Sequence, residues 1–268
     1  MGAARDCSYG NANVVFTLGL FFWRLARKTG PALLFIMTVW PIMTARSRST
    51  VLSRTKLQYP DSCLLQFAKA PIVGQVKTRL QPALDEEGCL ALHRALVKYQ
   101  FDVQQSAAVS NVELWCSAEH RFFHQLIEGS DTLLALQQGR DLGERMANAF
   151  AARLTQFNRV IIIGSDCPAI NSEYVAQAFA ALDNNVPAVF GPAVDGGYVL
   201  IGLNCLNLTL FTDIPWGTGE VMTVTRNRLN SMGWRWKELP SLPDIDRPDD
   251  LVELSHFDEL KNFSIENR

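Results

Sequence analysis

Apolar positions change character along this chain. Up to about residue 60 they form broken blocks, VVFTLGLFFW (14–23) and PALLFIMTVWPIM (31–43), divided by the basic stretch RLARKTG. From Cys63 onward they form short runs that alternate with stretches of helical spacing. CLLQFA (63–68) predicts a strand, and EEGCLALHRALVKYQFDVQQSAA (86–108) puts Leu92, Leu96 and Tyr99 on one helix face. NVELWCS (111–117) reads as a strand, 119–127 as a helix and LLALQ (133–137) as a short strand. Asp141–Phe157 reads as a helix with Asp141 as its N-cap, followed by the apolar strand RVIIIG (159–164). A helix over 172–182, strands over 187–193 and 198–203, a helix over 219–231 and a strand over 234–239 complete the pattern. A last helix begins at Pro248, a residue favoured in a first turn, and runs to Leu254.

Strand–helix alternation predicts one α/β domain over 61–255, with a mostly parallel sheet and helices on both faces. Residues 1–60 read as an extension and linker outside the fold, and 256–268 as a tail. Each apolar block of the extension is shorter than the roughly 20 residues of a membrane-spanning helix. Three readings of it compete: a membrane-associating hairpin, a targeting sequence, and translated upstream sequence with the start at Met37 or Met43. The last is favoured, and membrane contact is expected only if the segment exists in the cell.

Composition narrows the chemistry. The chain has 268 residues and a formal net charge of -2, which does not support a nucleic-acid partner. Its six cysteines are scattered with no CxxC pair, as expected of buried thiols in a reduced, cytoplasmic protein. In sheets of this class ligands sit at the carboxyl ends of strands, which places Lys69, Asp166 and the Asp195 loop on one rim. The loop AKAPIVGQVKTRL (68–80) carries Lys69, Lys77 and Arg79 around Gly74, and cations at a glycine turn after a buried strand suit phosphate. It lacks the Walker spacing. Asp166 ends a strand either as a helix cap or as a metal ligand. Asp244 and Asp246 stand on alternate positions and offer further oxygen donors for magnesium. In DGGYVLIG, Gly196 and Gly197 either make a turn or let a sugar or base approach, with Asp195 accepting hydroxyl hydrogen bonds. Trp216 in IPWGTG is either core or a platform for a ring. Gly139 and Asp141, alone, read as a turn and a helix cap. His120 and His124 lack the HExxH pattern and read as a helix surface.

In order along the chain, FAKAPIVGQVKTRL, GRDLGERMANAF, IIIGSDCPAI, GPAVDGGYVLIGL, IPWGTG and PDIDRPDDL resemble a bacterial family. These are glycosyltransferase-A-like (GT-A) proteins of the radical-SAM and selenodomain-associated transferase type. The molybdenum-cofactor and 2-phospholactate nucleotidyltransferases are similar at greater distance. The resemblance spans about Cys63 to Leu254. It implies a single Rossmann-like nucleotide-diphospho-sugar transferase domain. Lys69, Gly74, Lys77, Arg79, Gly139 and Asp141 would bind nucleotide, and Gly196, Gly197 and Trp216 substrate. Asp166 and Asp246 would hold Mg²⁺ or Mn²⁺, although SDC replaces the family's DxD. Asp195 would position the acceptor or act as base. The expected activity is metal-dependent group transfer between a nucleotide or nucleotide-sugar and a small-molecule acceptor, with glycosyl transfer leading. Nucleotidyl transfer and non-catalytic nucleotide-sugar binding are the alternatives.

Overall fold

The computed structural model describes residues 56–81, 83–183 and 186–265. The apolar blocks before residue 56 lie outside these. The strands are β1 Tyr59–Ala68, β2 Ser110–Cys116, β3 Leu133–Leu136, β4 Arg159–Ile163, β5 Ala188–Pro192, β6 Tyr198–Leu203 and β7 Trp236–Glu238. The helices are α1 Glu86–Ser106, α2 Arg121–Leu126, α3 Leu142–Arg153, α4 Ser172–Asp183 and α5 Val221–Ser231. The strands form one seven-stranded sheet in the order β3-β2-β1-β4-β6-β5-β7. All neighbours pair in parallel except β6, which runs antiparallel to both β4 and β5.

β1 and β4 occupy the centre, and Cys63–Ala68 and Val160–Ile163 are buried on both faces. That is why they read as unbroken apolar runs instead of alternating ones. Successive residues still point to opposite sides. Leu65 and Ile162 pack with Phe150 of α3 and Met222 and Leu229 of α5, whereas Leu64, Ile161 and Ile163 pack with Val175 and Phe179 of α4. Helices therefore cover both faces, as the alternation predicted.

The fold differs from expectation at both ends. β1 opens at Tyr59, inside the stretch read as linker, where the Tyr59 ring packs on Phe179 and its N–H donates to Val109 O at 2.8 Å. The segment Pro248–His256 is a 3₁₀ helix, not an α-helix, and a second 3₁₀ turn follows at Lys261–Phe263. The expected tail belongs to the fold through Ile265. Leu260 is buried with Leu92 and Leu96 of α1, and Phe257 and Phe263 pack on the same cluster. Three scattered apolar residues in a polar stretch carry too little periodicity to be read as an element. Among the described residues, Cys63, Cys89, Cys116 and Cys167 are free buried thiols. No helix among the described residues is long and apolar enough to cross a membrane.

Candidate active site

Because β1, β4, β5 and β7 point the same way, their carboxyl ends share one rim. Lys69 follows β1, Asp166 follows β4, Asp195 follows β5, and Asp244 and Asp246 follow β7. Residues far apart in sequence converge there, as the strand-end rule required.

The Asp166 turn is built from behind. Backbone pairing of β1 with β4 ends at Gln66 and Ile163. There the Ser165 hydroxyl donates to the next β1 carbonyl, Phe67 O, at 2.8 Å, and accepts from Gln66 Nε2 at 3.0 Å. Gln66 also donates to Val97 O of α1 at 2.9 Å. A side chain thus replaces a ladder bond, and the backbone is free to turn and present Asp166 at the edge. From the front, the Ile245 N–H donates to Asp166 O at 2.9 Å, tying the turn to the segment after β7. Asp166 is not a helix cap. That role belongs to Asn171, whose Oδ1 accepts from Tyr174 N at 2.9 Å at the start of α4.

The two central cations of the basic loop have different fates. The Lys77 side chain is 4% exposed, and its Nζ lies 2.7 Å from Asp166 Oδ1 and donates to Ile245 O. The Arg79 side chain is 57% exposed and bonds Asp246 Oδ2 at 2.6 Å. This bond, then the charge of Asp246 and of Asp195 and Asp244 behind it, raises the guanidinium pKa further. Burial works to raise the Asp166 carboxyl, but the Lys77 ammonium, with the Lys69 charge adding, holds it below its ordinary value. Lys69 is exposed. Gly74 turns the loop beside the Glu86 carboxylate, with Oε1 3.5 Å from where a Cβ would stand. That sets negative charge against this part of the turn.

His93 escaped the sequence reading. It is 4% exposed and its Nε2 lies 3.0 Å from Lys69 O. A carbonyl only accepts, so Nε2 carries the proton. Burial lowers the pKa, more than the neighbouring Asp166 raises it, and keeps the ring neutral near pH 7. The available signal was a histidine among the apolar positions of α1. Ser165 and Gln66 were missed too, although a glutamine inside CLLQFA is a buried polar group that must find partners.

Across the rim, Asp195 Oδ1 accepts from Gly197 N at 2.9 Å and closes a small turn. Gly196 has φ +94°, and a Cβ there would meet Gly219 O at 2.1 Å. This glycine lets the Asp195 turn lie backbone to backbone against the PWGTG loop, and Met222 N donates back to Gly196 O at 2.9 Å. Trp216 in that loop is half-buried, edge-on to Tyr198, and its indole would collide with any side chain at Gly143. The structure places it against α3 and β6.

The GRDLGER turn is satisfied within itself. Asp141 Oδ1 accepts from Glu144 N at 2.8 Å as the N-cap of α3. Glu144 holds Arg140 through its backbone N–H at 2.9 Å and its Nε at 2.8 Å. Gly139 has φ +146° and packs on the Glu144–Arg145 backbone. His120 caps α2 through Nδ1 at 3.2 Å from Phe122 N, and His124 pairs with Glu119 at 3.0 Å.

Negative charge gathers on the rim. Asp244 is pushed up to about 6, first by burial, then by the charges of Asp195 and Asp166. Among the described residues no three His, Cys, Asp or Glu side chains form a ready metal cage. Of the expected metal pair, Asp166 meets Lys77 and Asp246 meets Arg79.

Comparisons with known proteins bear on the fold. The profile of a family described as "Uncharacterized protein conserved in bacteria (DUF2064)" matches residues 100–218. A protein from Desulfovibrio desulfuricans, described provisionally as a nucleotide-diphospho-sugar transferase, is 29% identical. The match has a TM-score of 0.68 and covers 78% of this chain and 93% of that one. A 4-diphosphocytidyl-2C-methyl-D-erythritol synthase from Anaerococcus prevotii is 9% identical with a TM-score of 0.50, over 74% of this chain and 96% of that one. A nucleotidyl transfer enzyme from Methanothermobacter is 15% identical with a TM-score of 0.50, over 73% and 97%. The chain therefore has the nucleotide-diphospho-sugar transferase fold. No curated protein matches it.

Proposed function

We propose that the protein is a transferase that moves a group from a nucleotide-diphosphate compound to a small-molecule acceptor, with a sugar-nucleotide as the donor. The observation that carries this reading is the meeting of exposed cations and crowded carboxylates from four strand ends on one rim. The likeness to the Desulfovibrio protein supports the sugar-nucleotide over a nucleoside triphosphate. Arg79 bonds Asp246 through Nη1. A guanidinium carries five donor hydrogens, so the rest of the fork is left for phosphate oxygens. Arg79 and Lys69 would neutralise the charge that develops on a departing diphosphate. Asp195, exposed at the lip, would accept the acceptor hydroxyl's hydrogen bond and orient it.

The donor chemistry fits Mg²⁺ or Mn²⁺. Asp244 is raised first by burial and then by the negative charge of Asp195 and Asp166, and a hard cation would relieve that second part. Asp166 with Asp246 or Asp244 would hold the ion. When bound, it would stabilise the diphosphate leaving group.

The test is a calorimetric and turnover screen of nucleoside triphosphates and sugar-nucleotides, with Mn²⁺ and with chelator. Saturable binding of a sugar-nucleotide, with release of the nucleoside diphosphate when an acceptor is found, is the expected outcome. Release of pyrophosphate from a nucleoside triphosphate would replace this reading with nucleotidyl transfer. Binding without turnover on broad acceptor panels would make the protein a nucleotide-sugar-binding module.

A further inference from the structure

We infer that Lys77 is a positioning residue: its ammonium fastens the Asp166 turn to the segment after β7, and phosphate is left to Arg79 and Lys69. The inference rests on the proposed function in one respect, that Asp166 is a working carboxylate of the site.

Sequence spacing treats Lys77 and Arg79 alike, two cations one residue apart in a loop after β1. Their surroundings separate them, with 4% exposure for the Lys77 side chain against 57% for Arg79. A ligand for phosphate must reach solvent, where phosphate arrives. The Lys77 ammonium is instead enclosed between Asp166 Oδ1 at 2.7 Å and Ile245 O. Ile245 N–H in turn donates to Asp166 O. The three contacts close a ring: Lys77 to the Asp166 side chain, Lys77 to the Ile245 carbonyl, and the Ile245 amide to the Asp166 backbone. Both the main chain and the carboxylate of Asp166 are gripped by it.

The backbone supports the same assignment. Lys77 sits at φ 53°, ψ 31°, a left-handed conformation that is costly for any residue with a Cβ. Glycine would make this turn freely. A lysine there is explained if the side chain must be delivered inward from that backbone, and the inward direction is where its partners lie. Withdrawing the ammonium toward a ligand would leave Asp166 Oδ1, which is shielded from solvent, without its counter-charge, and the buried Ile245 without a donor for its carbonyl.

The experiment pairs two readouts on the full-length chain: hydrogen exchange of the Ile245 amide by NMR, and calorimetric binding of inorganic pyrophosphate without metal. In Lys77→Met, Ile245 is expected to exchange at least about tenfold faster while the Ile161 amide in β4 keeps its rate. Pyrophosphate affinity should fall by less than about tenfold, because Asp166 loses its counter-charge but no phosphate contact is removed. Arg79→Ala should weaken pyrophosphate by about tenfold or more, the scale of a charge-assisted bond. A tenfold loss of pyrophosphate affinity in Lys77→Met with Ile245 exchange unchanged would overturn the inference. If Lys77→Met does not fold, Lys77→Arg decides. A phosphate ligand tolerates the guanidinium and leaves Ile245 protected, whereas a slot fitted to a compact ammonium does not admit the planar fork, and Ile245 exchange rises. Failure of pyrophosphate to bind the wild-type protein would sink the phosphate reading of the rim, and the Ile245 readout would still decide the role of Lys77.

Discussion

Two aspartates in this molecule look alike in sequence and differ in what holds them. Asp141 in GRDLGER and Asp166 in GSDCP each lie shortly after a glycine, near the start of a helix. Asp141 is consumed by its own turn, because its carboxylate accepts the Glu144 N–H three residues on and caps α3. Asp166 makes no such local bond, and the cap of the following helix is Asn171. Its partners come instead from loops distant in sequence on either side, Lys77 and Ile245. A carboxylate closed by its own backbone has finished its work in the fold. One held at a strand end by distant loops, half exposed beside a cation, is left available for chemistry under the proposed function. The difference lies in tertiary partners, which a linear motif does not display.

Substitution at Asp166 should break this comparison with the largest effect. Asp166→Asn preserves the shape and removes the charge. Under the proposed function, turnover on the nucleotide donor should fall at least about 100-fold, the scale of removing one group that stabilises charge at a reacting centre. Stability should also fall, because Lys77 is left enclosed without its counter-ion. The full penalty for breaking a buried pair is discounted here, since the Asp166 side chain is 51% exposed, to about 1–3 kcal/mol. A cap reading predicts almost no change in either quantity. An Asp166→Asn protein with wild-type turnover and wild-type melting would erase the distinction between the two aspartates.

The same contrast explains what could be read without the structure. The apolar runs and helical stretches from Cys63 to Ser231 gave each strand and α-helix within a few residues, because burial on a sheet leaves a periodic trace, but not the short 3₁₀ helices Thr78–Leu80 and Leu208–Phe211. The direction of β6 leaves no such trace, since a central antiparallel strand is as apolar as its parallel neighbours. The rim followed from strand order, so Lys69, Asp166 and Asp195 could be placed together. What escaped was pairing. Nothing in VKTRL announces that Lys77 turns inward from a left-handed backbone while Arg79 stays out. Nothing in LPDIDRP announces that Asp246 meets Arg79 while Asp244 is pressed toward the other carboxylates. His93 and Gln66 were polar residues in apolar surroundings, a signal present but unused.

Asp244 sharpens the comparison from the functional side. A carboxyl raised from 3.8 to about 6 in the folded protein holds its proton more tightly there than in the unfolded chain. Below the unfolded value both states are protonated and nothing is lost. As pH rises from about 4 through about 6 the unfolded chain gives up its proton first, so stability falls, and the loss is complete above pH 6. Asp244→Asn removes this penalty. Two pKa units correspond to about 3 kcal/mol at most. Partial exposure reduces this, so a gain of about 1–2 kcal/mol at pH 7.5 is expected, with none at pH 4. Denaturant midpoints at the two pH values measure it. Equal effects at both would show that Asp244 is not a strained carboxylate and would remove the electrostatic argument for a cation on the rim.

Asp141 provides the smallest effect and the closest test of its side of the comparison. Its carboxylate satisfies one of the amide donors that the first turn of α3 leaves open. Asp141→Ala should therefore cost about 1 kcal/mol, whereas Asp141→Ser, which still caps, should cost a few tenths. Neither change should alter affinity for the nucleotide donor, because the cap bond does not depend on a ligand. The family resemblance expects the opposite for this residue, a part in nucleotide binding. Parallel measurements of melting and of donor affinity on the two variants separate these. Serine restores stability under the cap reading, but it does not restore the charge that a nucleotide contact would use. If Asp141→Ser melts like the wild type and yet binds the donor about tenfold more weakly, Asp141 does more than cap. The GRDLGER turn would then join Asp166 as part of the site, and the two aspartates would be alike after all.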